Sequence, residues 1–305
     1  MTSAKTNPFP GVPLVESPLF PMQQASLGLT PEENRIATDL HQHGFAVLDF
    51  PDSDLEARIE RIKANLGPRY TEVAAGDQRI QDAWKFDDDV RAIAINQAML
   101  DLLSELYGRR AFPFQTLNFP VGTQQGAHTD AVHFSSLPER FMCGVWLAME
   151  DVSPNAGPLF YVPGSHRWPL LNNSLIGRRG HNSTLESAQN PFAQGWRALR
   201  EMNGAAEEPF LAKKGQALIW TANLLHGGSH QSDTALTRWS QVTHYYFEDC
   251  IWYTPAFSDE ALGRLELREP VAITDGRKRR NSWMGEPIKL PRPGLLTRMA
   301  RRFRG

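Results

Sequence analysis

Apolar residues recur at helical spacing in the first third of this 305-residue chain and at strand spacing in most of the rest. Thr30-Pro31-Glu32-Glu33 has the signature of a helix start, with Thr at the N-cap, Pro at the first position and Glu at the third. The helix is predicted to run to His43, where Gly44 stops it. Phe45–Phe50 reads as a strand, and Asp52–Leu66 as a second helix with Leu55, Ile59 and Ile62 on one face. Ala98–Tyr107 is predicted as a third helix, ended by Gly108. From Phe112 the period changes. Phe114–Phe119, Met142–Met149, Leu159–Val162, Gln216–Trp220 and Ser240–Phe247 read as short strands separated by turns. Helices followed by strands predict a mainly β fold with flanking helices, a sandwich or barrel on which the helices pack.

Residues 1–28 carry Pro8, Pro10, Pro13, Pro18 and Pro21 and read as an extended N-terminal arm rather than a domain. Residues 29–265 then form the main domain. Within it, 171–212 is a polar interruption with a helix near Phe192–Met202, and its length suggests a lid. Residues 266–305 form a basic C-terminal extension.

Composition narrows the class. The chain is 41% hydrophobic and 22% charged, as in ordinary globular proteins. No apolar run is long enough to span a bilayer, and the first residues lack a signal-peptide pattern. Cys143 and Cys250 lie in apolar stretches and are expected to be free buried thiols. A reducing, cytoplasmic setting is the expectation. Net charge is −2, but basic residues dominate from Arg277 to Arg304, so the body is acidic. If Leu295–Arg304 is a helix, Leu295, Leu296, Met299 and Phe303 share one face and the arginines another. Residues 294–305 could then lie on an anionic membrane surface, at the inner membrane face, or equally pack on the body or stay solvated. Nucleic-acid binding is not expected, because the body is acidic and the basic stretch has little aromatic interleaving.

The candidate chemistry centres on His128-Thr129-Asp130, with His226 and Arg238 far downstream. Two imidazoles and one carboxylate match the facial set that holds iron(II) and leaves other positions open. On a strand, His128 and Asp130 face the same way, and His226 must come from a neighbouring strand. Gly227 and Gly228 let the backbone approach a ligand closely. Arg238 opens the last long strand, where its guanidinium fork could grip a carboxylate. An H-x-D tripeptide alone is weak, and His226 alone could be a buried structural histidine. It is the spacing and the strand context that favour ligation.

These residues, together with Trp146-Leu147-Ala148-Met149-Glu150, Asn155-Ala156-Gly157-Pro158-Leu159 and Val162-Pro163-Gly164-Ser165-His166, resemble the phytanoyl-CoA dioxygenase family of iron(II)- and 2-oxoglutarate-dependent oxygenases. The likeness covers roughly residues 30–250. It implies a double-stranded β-helix, a jelly-roll, cupin-like core, with His128, Asp130 and His226 on iron and Arg238 on the distal carboxylate of 2-oxoglutarate. It further implies consumption of O2 with release of succinate and CO2. Trp146, Gln115 and Asn118 would lie near the cosubstrate, and Arg79 and Lys85 lie where some members place a basic residue reaching the keto-acid end. Some members place a serine two residues after the distal histidine; here that position is Gly228, and Ser229 is the nearest serine. His166 is expected to be structural. His133 and Asp151 are given no catalytic role, although His133 is close enough to touch substrate. Halogenating relatives have a small residue at the carboxylate position, so Asp130 implies hydroxylation or a related oxidation.

The expected partner is a small molecule, anionic if Arg178, Arg179, His181, Arg197 and Arg200 of the insertion face it, or a glycolipid if the tail meets membrane. Two other readings stand beside the hydroxylase: a non-catalytic, cupin-like metal-binding protein, which has no need of Arg238, and a peripheral membrane protein acting through its tail.

Overall fold

The computed structural model describes residues 8–71, 79–180 and 189–288. The helix expected over Leu295–Arg304, the rest of 294–305, and His181 lie outside the described residues.

After a 3-10 turn at Leu14–Glu16 come helices α1 (Phe20–Gln23) and α2 (Pro31–His43), strand β1 (Phe45–Asp49), helix α3 (Leu55–Leu66) and strand β2 (Ile80–Gln81). Helices α4 (Asp88–Ala94) and α5 (Gln97–Tyr107) lead to β3 (Ala111–Phe119), β4 (Ser135–Leu137), β5 (Met142–Ala148) and β6 (Leu159–Tyr161). Helix α6 (Ala193–Met202) precedes β7 (Glu208–Pro209), β8 (Gln216–Thr221), β9 (His226–Gly228), β10 (Ser240–Phe247) and β11 (Ile251–Tyr253).

The major sheet has the order β1-β8-β5-β10-β3-β2 and is antiparallel throughout. A minor sheet, β7-β6-β9, forms the second layer of the core. Apolar side chains fill both faces of the major sheet. One face, with Leu147, Ile219 and Tyr245, packs against the helices through Ile36, Leu40, Ile59, Ile62 and Leu103. The other, with Trp146, Leu218, Trp220 and Val242, meets Leu159 and Tyr161 of the minor sheet and Phe210 just beyond it. This alternation, period two along each strand, splits the sheet into a structural face and a site face.

Local chemistry explains the elements. Thr30 accepts from the Glu33 amide while the Glu33 carboxylate accepts from the Thr30 amide, a reciprocal cap on α2. Gly44 ends α2 at φ +84°, and a Cβ there would sit 2.5 Å from Nδ1 of His166. Buried His166, with Nε2 3.2 Å from the His41 carbonyl, is thus a packing element at the end of this helix. In β3 the pairing slips at Pro113, which lacks an N–H, and the extra residue, Phe114, stacks on Tyr246.

Two expectations need correction. Residues 8–28 are not extended: they form short helical turns, bury Val15 and Phe20, and pair Glu16 with Arg140 at 2.8 Å. Apolar anchors between the prolines outweigh proline's preference for extended chain. Within the insertion, Leu171, Phe192 and Trp196 pack with Val132, Val162 and Leu225 as a small satellite core. Residues 267–278 of the C-terminal segment are not separate from the domain either: Leu267 bridges to Tyr253, and Val271–Ala272 and Arg277–Lys278 form a small hairpin. Among the described residues, no helix is long and apolar enough to cross a membrane.

Candidate metal and cosubstrate site

A cavity of about 480 Å3 opens between the two sheets, lined by His128, Asp130, His226, Trp146, Arg238 and residues of β3 and β10. That volume falls within the roughly 300–1,000 Å3 of small-molecule sites.

His128 and His226 are a directly opposed antiparallel pair. Each amide donates to the other's carbonyl, at 2.9 and 3.0 Å. The pairing brings the rings to 4.6 Å between centroids. Each Nδ1 is 2.9 Å from a carbonyl two residues earlier, Gly126 for His128 and Leu224 for His226. A neutral imidazole that donates through Nδ1 presents the Nε2 lone pair to a metal. Burial, with His226 alongside, pushes the His128 pKa down to about 3, so the ring is neutral at physiological pH.

Asp130 does not continue a strand beyond His128. The chain is extended through Thr129 and then enters a 3-10 turn at Asp130–Val132, which turns the carboxylate toward the histidines. Ligand atoms of His128, Asp130 and His226 lie within 4.8 Å of one another. The two Asp130 oxygens differ. Oδ2 accepts from the Trp220 indole N–H at 2.7 Å and lies 3.6 Å from His244 Nε2; Oδ1 is 3.9 Å from His226 Nε2. Burial would raise the Asp130 pKa, but the imidazoles of His226, His244 and His128 outweigh it and hold the carboxyl well below its ordinary range. The donor set is therefore two imidazoles and a carboxylate, with one carboxylate oxygen already engaged. That set fits iron(II).

Arg238 is 3% exposed, and its Nε and Nη1 have no hydrogen-bond partner. Its guanidinium carbon lies 5.6 Å from the centre of the Trp146 ring, and burial pushes its pKa down to about 10, still protonated. A shielded cation without a counter-charge, in the wall of a cavity, is a receptor for an anion from outside the chain.

The remaining expected site residues divide by strand parity. Gln115 lines the cavity, yet its Oε1 is taken by Nδ1 of His244 at 2.9 Å, so it orients His244. Asn118 faces the opposite side of β3, where it donates to Gln241 at 3.2 Å. One residue's shift along a strand reverses the face. Ser229 lies beyond the end of β9 and does not line the cavity, whereas Gly227 and Gly228 do. Arg79 borders the cavity, whereas Lys85 pairs with Asp82 outside it. His133 lines the cavity with Nε2 3.4 Å from Gln189 Oε1, while exposed Asp151 pairs with Lys213. The arginines of the insertion do not face the cavity. Arg178 bonds Asn173, Arg179 pairs with Asp259, Arg200 pairs with Glu207, and Arg197 is exposed.

Sequence reasoning missed Trp220, His244, Gly144 and Arg268. His244 has the same parity as Arg238 and Val242 on β10, which was a usable signal. Trp220 and Gly144 become visible only through register: Gly144 pairs with both Trp220 and His244, and a Cβ on it would lie 2.3 Å from the Trp220 ring.

The family model described as phytanoyl-CoA dioxygenase (PhyH) matches residues 35–238, about two thirds of the chain. The chain belongs to the phytanoyl-CoA dioxygenase family. Solved structures with the same fold include the non-heme alpha-ketoglutarate-dependent carbocyclase SnoK from nogalamycin biosynthesis, 16% identical with a TM-score of 0.58 over 80% of this chain and 93% of that one. The epimerase SnoN, in complex with Fe3+, alpha-ketoglutarate and nogalamycin RO, is 18% identical with a TM-score of 0.57 over 86% and 97% of the two chains. EctD from S. alaskensis, with 2-oxoglutarate and 5-hydroxyectoine, is 18% identical with a TM-score of 0.54 over 76% and 80%. At these identities the likeness is one of fold. Comparison with curated proteins gives no match.

Proposed function

We propose that this protein is an iron(II)- and 2-oxoglutarate-dependent dioxygenase that hydroxylates an unactivated C–H bond of a small molecule. One observation carries the reading: a His128–Asp130–His226 donor set shares its cavity with Arg238, a buried cation that no carboxylate of the described residues pairs with. A barrel that only stored metal would gain nothing from that cation. His128 and His226 would hold iron through Nε2, and Asp130 through Oδ1. Arg238 would bind the distal carboxylate of 2-oxoglutarate, with Trp146 beside it as an apolar wall. With iron, 2-oxoglutarate and O2 bound, the chemistry supplied is oxidative decarboxylation to succinate and CO2 coupled to oxidation of a C–H bond. The protein's own work is orientation. Trp220 and His244 fix one carboxylate oxygen, backbone carbonyls fix the two imidazoles, and the two sheets keep bulk water away.

Small-molecule substrates fit the cavity volume, and SnoN and EctD were each solved with a small molecule. SnoN and SnoK are named for epimerisation and ring formation, so the fold also serves outcomes other than hydroxylation. Asp130 occupies the carboxylate position that a halogenase leaves open, which favours oxygen insertion here.

The test is succinate release from anaerobically loaded protein on admission of O2. Wild type is expected to form succinate only with both iron(II) and 2-oxoglutarate present, and His128→Ala or His226→Ala to fall to background. With substrate and excess chloride present, mass spectrometry should show gain of one oxygen. Iron-independent succinate formation, or equal turnover in both histidine variants, defeats the assignment; a chlorinated main product defeats the hydroxylation.

A further inference from the structure

Arg268 lies 30 residues beyond the end of the family match, yet its side chain reaches the cavity. Its backbone is fixed there: the Arg268 amide donates to Trp252 at 2.8 Å and its carbonyl accepts from Asn281 at 2.8 Å. The guanidinium lies over Phe134, 4.7 Å from the ring centre, and 5.9 Å from that of Phe114. Nη1 donates to Thr254 Oγ1 at 3.2 Å, while Nε is shielded from solvent with no hydrogen-bond partner. No carboxylate of the described residues pairs with it. Within the cavity, Arg238 and Arg268 thus share one unusual state, a cation held without a counter-ion.

They sit at opposite ends. Arg238 precedes β10 and lies beside Trp146, which pairs with Val242. His244, next inward on the same face, meets Asp130. Beyond it Phe134 packs on His244 at 5.2 Å and Phe114 stacks on Tyr246 at 4.1 Å, and Arg268 covers both phenylalanines. The metal-ligand cluster lies between the two arginines. A five-carbon diacid anchored at Arg238 leaves Arg268 for a different molecule.

Resting on the dioxygenase reading, we propose that Arg268 is the substrate-anchoring residue and that the substrate is a carboxylate with an apolar or aromatic body. The Nε–Nη2 edge of a guanidinium accepts a carboxylate side-on through two parallel hydrogen bonds, and Nη1 is already used to orient the group. Phe134 and Phe257 line the same end and suit a flat apolar body. A phosphate is disfavoured, because this end of the cavity offers one arginine and no lysine. Gripping the carboxylate here would hold the rest of the molecule against the iron side of the cavity, which fixes the C–H that reacts.

The test uses full-length protein loaded anaerobically with iron(II) and saturating 2-oxoglutarate, so that Arg238 is occupied. Benzoate, phenylacetate and 3-phenylpropionate are titrated beside their primary amides by calorimetry. At least one acid is expected to bind tenfold or more tightly than its amide. That preference should shrink to twofold or less in Arg268→Gln and be partly kept in Arg268→Lys, with 2-oxoglutarate affinity unchanged in both. Acids that bind no better than amides to the wild type, or a preference that survives in Arg268→Gln, overturn the proposal. Loss of 2-oxoglutarate binding in Arg268→Gln also overturns it, by making Arg268 the cosubstrate anchor. The dioxygenase reading fails separately, if 2-oxoglutarate does not bind the iron-loaded wild type.

Discussion

Asp130 shows how much of this site depends on residues that would touch no ligand. One oxygen is tied to the Trp220 indole and approached by His244, which frees the other for metal and removes the carboxylate's rotational freedom. The indole fits only because position 144 has no side chain. Gly144→Ala should therefore push Trp220 off Asp130 and weaken iron(II) binding by about 10–100-fold, the usual range for losing a ligand's supporting contact. Trp220→Phe keeps the ring and deletes only the N–H, so it should shift affinity the same way without overpacking. Metal titration with far-UV circular dichroism as a fold control checks both; wild-type affinity in the two variants would mean that the indole contact orients nothing. Arg238 is the other decisive residue. Arg238→Leu should weaken 2-oxoglutarate binding by at least about 1–3 kcal/mol, the scale of a hydrogen bond to a charged group, and leave iron affinity alone. Equal cosubstrate affinity in that variant would transfer the role to another cation.

At the scale of elements, the junction of α2 and β1 holds the helical layer to the sheet. Gly44 combines a left-handed backbone with direct contact to His166. Gly44→Ala should cost at least about 2 kcal/mol in urea unfolding, from backbone strain plus overpacking. His166 itself makes this junction sensitive to acid. Burial holds its pKa down at about 4, so the unfolded chain takes up a proton near pH 6.5 while the folded chain resists. Its share of stability is full above pH 6.5, is lost as pH falls toward 4 and changes little below that. Between pH 7 and 5 the loss should be about 2 kcal/mol, and His166→Gln should lose that much less over the same window; parallel stability curves would exclude it. Sequence made the elements legible where local chemistry decides them, as in the Thr30 cap, the Gly44 stop and the apolar strands. It also exposed the metal triad and Arg238, because their residue types are costly to bury without a purpose. It did not reveal facing. The family resemblance points to Gln115, Asn118 and Ser229 beside the cosubstrate, but strand parity sends Asn118 away from the cavity, Ser229 falls beyond the end of β9 and His244 captures Gln115. Nor could spacing show that residues 254–268 fold back to close one end, since that depends on the long-range pairing of Tyr253 with Leu267.

For the molecule as a whole, the cavity concentrates charges that the fold leaves uncompensated. His128, Asp130 and His226 crowd three donors within 4.8 Å, and Arg238 is buried without an anion. Burying such groups costs free energy that folding must absorb elsewhere, here through the large apolar clusters on both faces of the major sheet. A metal that neutralises the donors, and a diacid that meets Arg238, bind the folded chain and not the unfolded one. Each should therefore raise stability by mass action, about 2.7 kcal/mol at a ligand concentration a hundred times its Kd. For a chain of 305 residues that corresponds to roughly 4 °C in Tm for each ligand. The two increments should appear in order. Iron(II), or a redox-inert divalent substitute, should act alone, and 2-oxoglutarate should add its increment only once metal is present, because it needs both the metal and Arg238. In Arg238→Leu the metal increment should persist and the 2-oxoglutarate increment vanish. In His226→Ala both should vanish, and removal of metal with a chelator should return the wild type to its unliganded Tm. A 2-oxoglutarate shift that is full-sized without metal, or that survives in Arg238→Leu, would mean that the cosubstrate binds somewhere other than between the triad and this arginine.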